Sequence, residues 1–247
     1  MAHMASVFDR RGDYEFALEM YQRALAMKEA SLGPDHPSTA ATLWGMAEVC
    51  GNRRDYDNAL HLFQRALSIL EKNFGYEHKD VAIVLNNIAL VHSHNGNEEN
   101  ALFVYKKALV MKTKLLGAKH ISVADTLSKM GKVFLKLQKY NEAINILSQA
   151  LDIRLSSEST NTLSTVENFE DLGIASMKIS DAATAIEYYS KALVELERGF
   201  GPNHANSLEI LKKISIAYES KKDHRGAYDS LEKLLAVHEV FSQTNGS

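Results

Sequence analysis

The chain has 247 residues, with 28 Lys and Arg against 31 Asp and Glu, a formal charge of −3 and 45% hydrophobic residues. So small a charge supplies no field to draw nucleic acid or an anionic membrane surface, and no apolar run approaches the ~18 residues of a transmembrane helix. A single cysteine, Cys50, rules out an internal disulfide and suits a cytosolic compartment, and the three prolines leave long stretches free to be helical, since proline costs about 3 kcal/mol inside a helix.

At the N-terminus, MAHM resembles a cloning scar, and SVFDRR reads as the tail of a helix whose beginning is absent, so residues 1–6 are set apart from the fold. The segment DYEFALEMYQRAL, from Asp13 to Leu25, then returns as DYDNALHLFQRAL from Asp55 to Leu67, and again as NEENALFVYKKAL, KYNEAINILSQAL, DAATAIEYYSKAL and DHRGAYDSLEKLL. Its first alanine recurs as Ala17, Ala59, Ala101, Ala143, Ala185 and Ala227 without an insertion or deletion, which predicts six helices of one type. Between them a second pattern repeats: Leu43, Leu85, Leu127, Phe169 and Leu211, followed three residues on by Met46, Ile88, Met130, Leu172 and Ile214, and then by the small residues Ala47, Ala89, Gly131, Gly173 and Ser215. Apolar residues three and four apart form the buried stripe of an amphipathic helix, and Cys50 continues that stripe as a packed residue.

Each repeat is therefore a first helix, a short turn and a second helix. Gly51-Asn52, Asn95-Gly96 and Gln138-Lys139 signal the turns, and GPDHP, GYEHK, GAKHI and GPNHA the connections to the next repeat. In the fourth connection, SSESTNTLST, Thr162 holds the histidine position and the glycine is missing, which reads as a solvated Ser/Thr-rich loop open to phosphorylation. One continuous repeat domain is expected over 7–241, followed by a polar, frayed tail at 242–247.

The order of large, large and small residues in the first helix, then alanine, aromatic and alanine in the second (Ala59, Phe63, Ala66; Ala101, Tyr105, Ala108), resembles the tetratricopeptide repeat. The period of 42 residues, together with LGPDHPSTA and LNNIALV, is similar to the kinesin light chain type of that repeat. The resemblance implies an all-α, right-handed superhelical solenoid of antiparallel helix pairs, about six repeats with the first truncated. It also implies a non-enzymatic scaffold or cargo adaptor that is cytoplasmic, with a cytoskeletal association as the more specific form. The alternative is a self-assembling structural module.

Four histidines at one phase, His36, His78, His120 and His204, invite a metal reading. Stacked helices stand roughly 8–10 Å apart, however, whereas ligands to one zinc lie about 2.0–2.1 Å from it. These histidines are instead expected to fix the start of the following helix. GFGPNH lacks the third glycine of a phosphate loop, and no nucleophile stands with an identifiable base, so neither cofactor, metal nor catalytic residue is assigned.

At about 100° per residue, the face of each first helix opposite its stripe is the candidate site, and the resemblance places that face in a concave, peptide-holding groove. The candidates are Trp44 and Glu48; Asn86 and Asn87; Ser128, Lys129, Lys132 and Lys136; Glu170 and Asp171; and Lys212 and Lys213. Asparagine amides donate and accept, which suits an extended main chain, and Trp44 is the aromatic anchor. Lysines on one helix and carboxylates on the next predict a divided groove and a protein or peptide partner with an acidic segment.

Overall fold

The structure is a computed structural model and describes residues 2–157 and 161–245. Those residues form twelve helices and no strand: α1 (Ala2–Arg10), α2 (Tyr14–Leu32), α3 (Pro37–Asn52), α4 (Tyr56–Phe74), α5 (Lys79–His94), α6 (Glu98–Leu116), α7 (Ile121–Lys136), α8 (Tyr140–Leu155), α9 (Thr162–Lys178), α10 (Ala182–Phe200), α11 (Ala205–Ser220) and α12 (His224–Asn245). Odd-numbered helices are the first helices of the repeats and even-numbered ones the second. The tail expected at 242–247 falls partly on α12 and partly outside the described residues.

The chain divides into two compact bodies, Met1–Ala118 with α1 to α6 and Lys119–Ser247 with α7 to α12. Inside each body every helix packs on the next. The repeating alanine is the point of closest approach: Ala17, Ala59, Ala101, Ala143 and Ala185 have no exposed surface. Only a short side chain lets two helices come that near. Ala5, one register before Ala47, is also fully buried, in a cluster with Ala17 and Tyr21.

A buried stripe such as Leu43, Met46, Ala47 and Cys50 accounts for only part of each first helix. A second series, Thr42, Val84, Thr126, Asn168 and Ile210, is buried too, as are Val49, Val91, Val133, Ala175 and Ala217. An inner first helix such as α3 or α9 lies between two second helices, α2 and α4 or α8 and α10, so it loses solvent from two sides.

The turn inside each repeat is the same six times over. The amide of Asp55 donates to the carbonyl of Cys50 at 2.8 Å, and Asp13 to Phe8, Asn97 to His92, Lys139 to Phe134, Asp181 to Ser176 and Asp223 to Tyr218 repeat it. This six-to-one bond closes a helix end through a left-handed residue. That residue is Gly12 or Gly96 in two copies and Arg54, Gln138, Ser180 or Lys222 in the other four, at φ of 58° to 65°. Gly51 is not the turn residue that its position suggests; it lies inside α3.

The connections behave as the histidines predict. Nδ1 of His36, His78, His120 and His204 accepts the amide of Ser38, Asp80, Ser122 and Asn206 at 3.1–3.2 Å, capping α3, α5, α7 and α11. In the fourth connection Asn161 takes over the cap, accepting from Leu163, and Thr162 becomes the first helical residue instead of a histidine substitute. The remaining expectation for that loop concerns residues 158–160, outside the described ones.

Candidate functional site

In the first body the candidate face is built by α3 and α5. Trp44, half-buried, donates from Nε1 to Glu48 Oε1 at 2.7 Å, and Asn87 Nδ2 reaches the same oxygen at 3.4 Å from the next first helix. Glu48 and Asn87 border a cavity of 240 Å³ whose floor includes Ala47, Phe63 and Leu90 and whose rim includes Asp9. Burial raises the Glu48 carboxyl above its ordinary range, the Trp44 hydrogen bond opposes that, and the charge of Asp9 adds to it. Asn86, one repeat after Trp44 at the same helical position, is buried.

In the second body α7, α9 and α11 carry the corresponding face, and ion pairs join its charges. Lys132 Nζ stands 2.8 Å from Glu167 Oε2 and 3.9 Å from Asp171 Oδ2, and Lys213 Nζ stands 2.6 Å from Glu170 Oε1. Across the border of the basic and acidic helices Lys132 of α7 is therefore paired, while Glu170 of α9 is paired from the other side by Lys213 of α11. Burial alone would depress the Lys132 ammonium, but its hydrogen bond to Glu167 and the charges of Asp171, Glu167 and Glu170 carry it upward. Asp171 is pushed up to about 6, first by burial, with Lys132 and Lys213 opposing and Glu167 and Glu170 adding. Lys136 and Lys212 are exposed on the same helices.

Ser128, like Asn86, is buried rather than presented. Its hydroxyl lies 2.9 Å from the Ala124 carbonyl and 2.7 Å from Asn168 Oδ1. Lys129 is half-buried, and that burial lowers its ammonium below the usual lysine range, with Asp125 opposing and Lys132 adding. Among the described residues no group of three or more His, Cys, Asp or Glu is placed to hold a metal ion, and no helix is long and apolar enough to cross a membrane.

The sequence pattern of the tetratricopeptide repeat matches residues 1–72, 39–112 and 80–156, together well over half of the chain. The chain belongs to the tetratricopeptide repeat family. No curated protein matches it. Among solved structures it is similar to BtubC (BKLC) from P. vanneervenii, at 22% identity and a TM-score of 0.73 over 80% of this chain and 78% of that one. It is also similar to a putative kinesin light chain of Podosopora anserina with nearly identical repeats, at 18% identity and a TM-score of 0.73 over 86% and 99%. A third similar structure is MamA from Desulfovibrio magneticus RS-1, at 16% identity and a TM-score of 0.60 over 81% and 96%. The fold is thus an all-α solenoid of antiparallel helix pairs.

Within these tetratricopeptide repeats one pair of positions, fourteen residues apart, escaped the sequence reading. The second helix carries Lys28, Leu70, Lys112, Arg154 or Leu196 there, and the following first helix carries Thr42, Val84, Thr126, Asn168 or Ile210. A long cation is always matched by a polar residue and a leucine by a branched apolar one. Lys28 Nζ donates to Ser38 O and Thr42 Oγ1, both at 2.8 Å. Leu70 and Val84 share one buried apolar cluster, and Leu196 and Ile210 another. The signal was available once the repeats were aligned by their alanines and every column, not only the apolar ones, was compared.

Proposed function

We propose that the chain is a non-enzymatic scaffold that binds an extended peptide or protein segment along the first helices of its repeats. The observation that carries this reading is the polar face itself: neighbouring first helices are bridged by Asn87 to Glu48, Lys132 to Glu167 and Lys213 to Glu170, so the face is laid out in advance and remains solvent-accessible. Amide, ammonium and carboxylate groups held this way suit recognition of main chain and charge. Exposed pairs contribute only about 0–1 kcal/mol each, so they orient a ligand more than they hold it. Affinity comes from apolar anchors, with Trp44 the aromatic candidate, and from backbone hydrogen bonds worth roughly 0.5–1.5 kcal/mol net.

The partner is a peptide with an acidic segment, directed to the lysines of α7, and its setting is the cytoplasm, in keeping with the buried free thiol of Cys50. A role as a kinesin light chain-like cargo adaptor is the specific form of this reading, supported by the repeat type. Selection from a peptide library with the intact chain tests it. Binding should fall in Asn87→Ala at all salt concentrations, and in Lys132→Glu with Lys136→Glu mainly at low salt. Folded variants of both kinds that bind like the wild type would remove this face from consideration. Light scattering over a concentration series reports the competing possibility of self-assembly.

A further inference from the structure

In the first body a cavity of 790 Å³ opens between the second helices α4 and α6, with Leu67 of α4, Leu85 of α5 and Met111 of α6 in its apolar lining. Large apolar side chains at the same cavity stand open to solvent: Tyr76 is 75% and Phe103 60% exposed, and Val110 and Leu115 are exposed with them. The repeats supply their own control on whether the fold needs these groups. At the Phe103 position the other second helices carry Glu19, His61, Asn145, Glu187 and Asp229, all exposed. Val110 is answered by Ser68 and Asp152 in the repeats on either side, and Leu115 by Asn73 and Ser157. The solenoid is built with polar groups at these places, so packing gives no reason for an aromatic ring in water at Phe103. Apolar surface gathered in this way around one cavity is what a partner covers.

The walls say what shape that partner has. Phe103 and Val110 are two turns apart on one face of α6, with Lys107 between them and Lys114 one turn beyond, a stripe roughly 16 Å long. Both walls are helices whose backbone groups are already bonded within them, and Gln64 is the one amide side chain in the lining. An extended segment laid there would bury its own amides without partners, whereas a helix arrives with them satisfied.

The charges differ on the two walls. On α6, Lys106 and Lys107 enter no ion pair among the described residues, and Lys107 Nζ lies 4.4 Å from the centroid of the Phe103 ring. Lys114 Nζ pairs with Glu77, 2.6 Å from Oε1. Glu71, on the α4 wall, has no ion-pair partner among the described residues either. A helix in the cavity thus meets two unmatched ammonium groups along α6 and one unmatched carboxylate along α4.

We propose that the α4–α6 cavity docks an amphipathic helix of a partner protein, apolar at i, i+3 or i+4 and i+7, with carboxylates on the flank beside α6. This surface is built from second helices and does not depend on the peptide-binding reading of the first-helix face.

The test is selection against the intact chain from a library of fifteen-residue segments displayed as a helix on a small helical scaffold. Phe103→Glu with Val110→Ser takes the residues that other repeats have at Glu19 and Ser68, so it should keep the wild-type circular dichroism. Enriched segments should carry the apolar stripe and the acidic flank. They should bind that variant about thirtyfold more weakly, the scale of a central aromatic anchor. Lys106→Gln with Lys107→Gln, copying Gln64 and Gln149, should weaken them about fivefold at low salt. Asn87→Ala should leave their affinity unchanged. Absence of enrichment, or equal binding to the folded variants, overturns the site. Binding that survives a central proline in the segment overturns the helical occupant, and enrichment of basic flanks overturns the charge assignment. Two further results would replace the partner helix and so overturn it. A mass that rises with concentration in the wild type but not in Phe103→Glu with Val110→Ser makes the occupant a second copy. Sedimentation with phosphatidylcholine–phosphatidylserine vesicles that the same variant loses makes it a lipid surface.

Discussion

Lys28 Nζ lies 2.8 Å from Thr42 Oγ1, joining the end of α2 to the next first helix, α3, with a hydrogen bond where the following repeat has Leu70 and Val84. Both solutions fill the same place between a second helix and its successor, so the two chemistries should be exchangeable only as pairs. Thr42→Val alone leaves the ammonium with one acceptor, Ser38 O, and should cost about 1 kcal/mol. Lys28→Leu with Thr42→Val should cost less than the two single changes added together. The coupling is read from a double-mutant cycle of urea midpoints, and strict additivity would show that the pairing has no energetic content.

Gly131 and Gly51 both lie inside first helices, yet they should respond oppositely to alanine. A Cβ at Gly131 would stand 2.4 Å from Leu147 Cδ2, and Leu147 is fully buried in a close-packed core. The overpacking, about 1–3 kcal/mol, exceeds the roughly 1 kcal/mol that alanine gains over glycine in a helix, so Gly131→Ala should destabilise. A Cβ at Gly51 would meet Val91 Cγ2 at 3.8 Å, an ordinary contact, so Gly51→Ala should stabilise. Helical circular dichroism during urea unfolding measures both.

Arg54 holds a left-handed turn at φ 64° in the position that Gly12 and Gly96 hold in other repeats. An L-residue there carries a strain of roughly 1–2 kcal/mol that glycine avoids, partly offset by the greater freedom glycine has when unfolded. Arg54→Gly should therefore raise the urea midpoint slightly, and Gly96→Arg should lower it. A fall in the midpoint for Arg54→Gly would mean that the arginine side chain contributes more than its backbone costs.

Asp171 is raised from 3.8 to about 6, chiefly by burial. Between about pH 4 and 6 the folded chain thus binds more protons at this group than the unfolded chain does, so its contribution to stability grows as pH falls through 6 and levels off below 4. Asp171→Asn removes the buried charge while Glu167 and Glu170 continue to pair Lys132 and Lys213. The variant should be more stable than the wild type at pH 7, by on the order of 1–2 kcal/mol, with the difference gone below pH 4. Urea unfolding at pH 7, 5 and 4 gives the profile, and a pH-independent difference would contradict it.

The 42-residue recurrence of alanine determined the number, order and type of the helices, because close helix approach tolerates only small side chains and so writes itself into the sequence at fixed intervals. The capping histidines were legible for a similar reason: a cap is a local bond between residues two apart, made or lost within one connection. Which first-helix residues face solvent was only half legible. A helical wheel identifies one apolar stripe, but an inner first helix is enclosed from two sides, and the second enclosing face accepts polar residues when the neighbouring helix supplies a partner. Asn86 and Ser128, in register with the half-buried Trp44, read as surface and are buried, while Arg154 and Asn168 went unremarked and border a polar cavity of the second body. The pairing of Lys132 with Glu167 was likewise invisible in a linear reading. Each charge sits on the expected helix, and only the packing of α7 beside α9 brings them to 2.8 Å. Local geometry repeats with the sequence, whereas burial and ion pairing depend on what the neighbouring repeat places opposite, and that was decided by the tertiary structure alone.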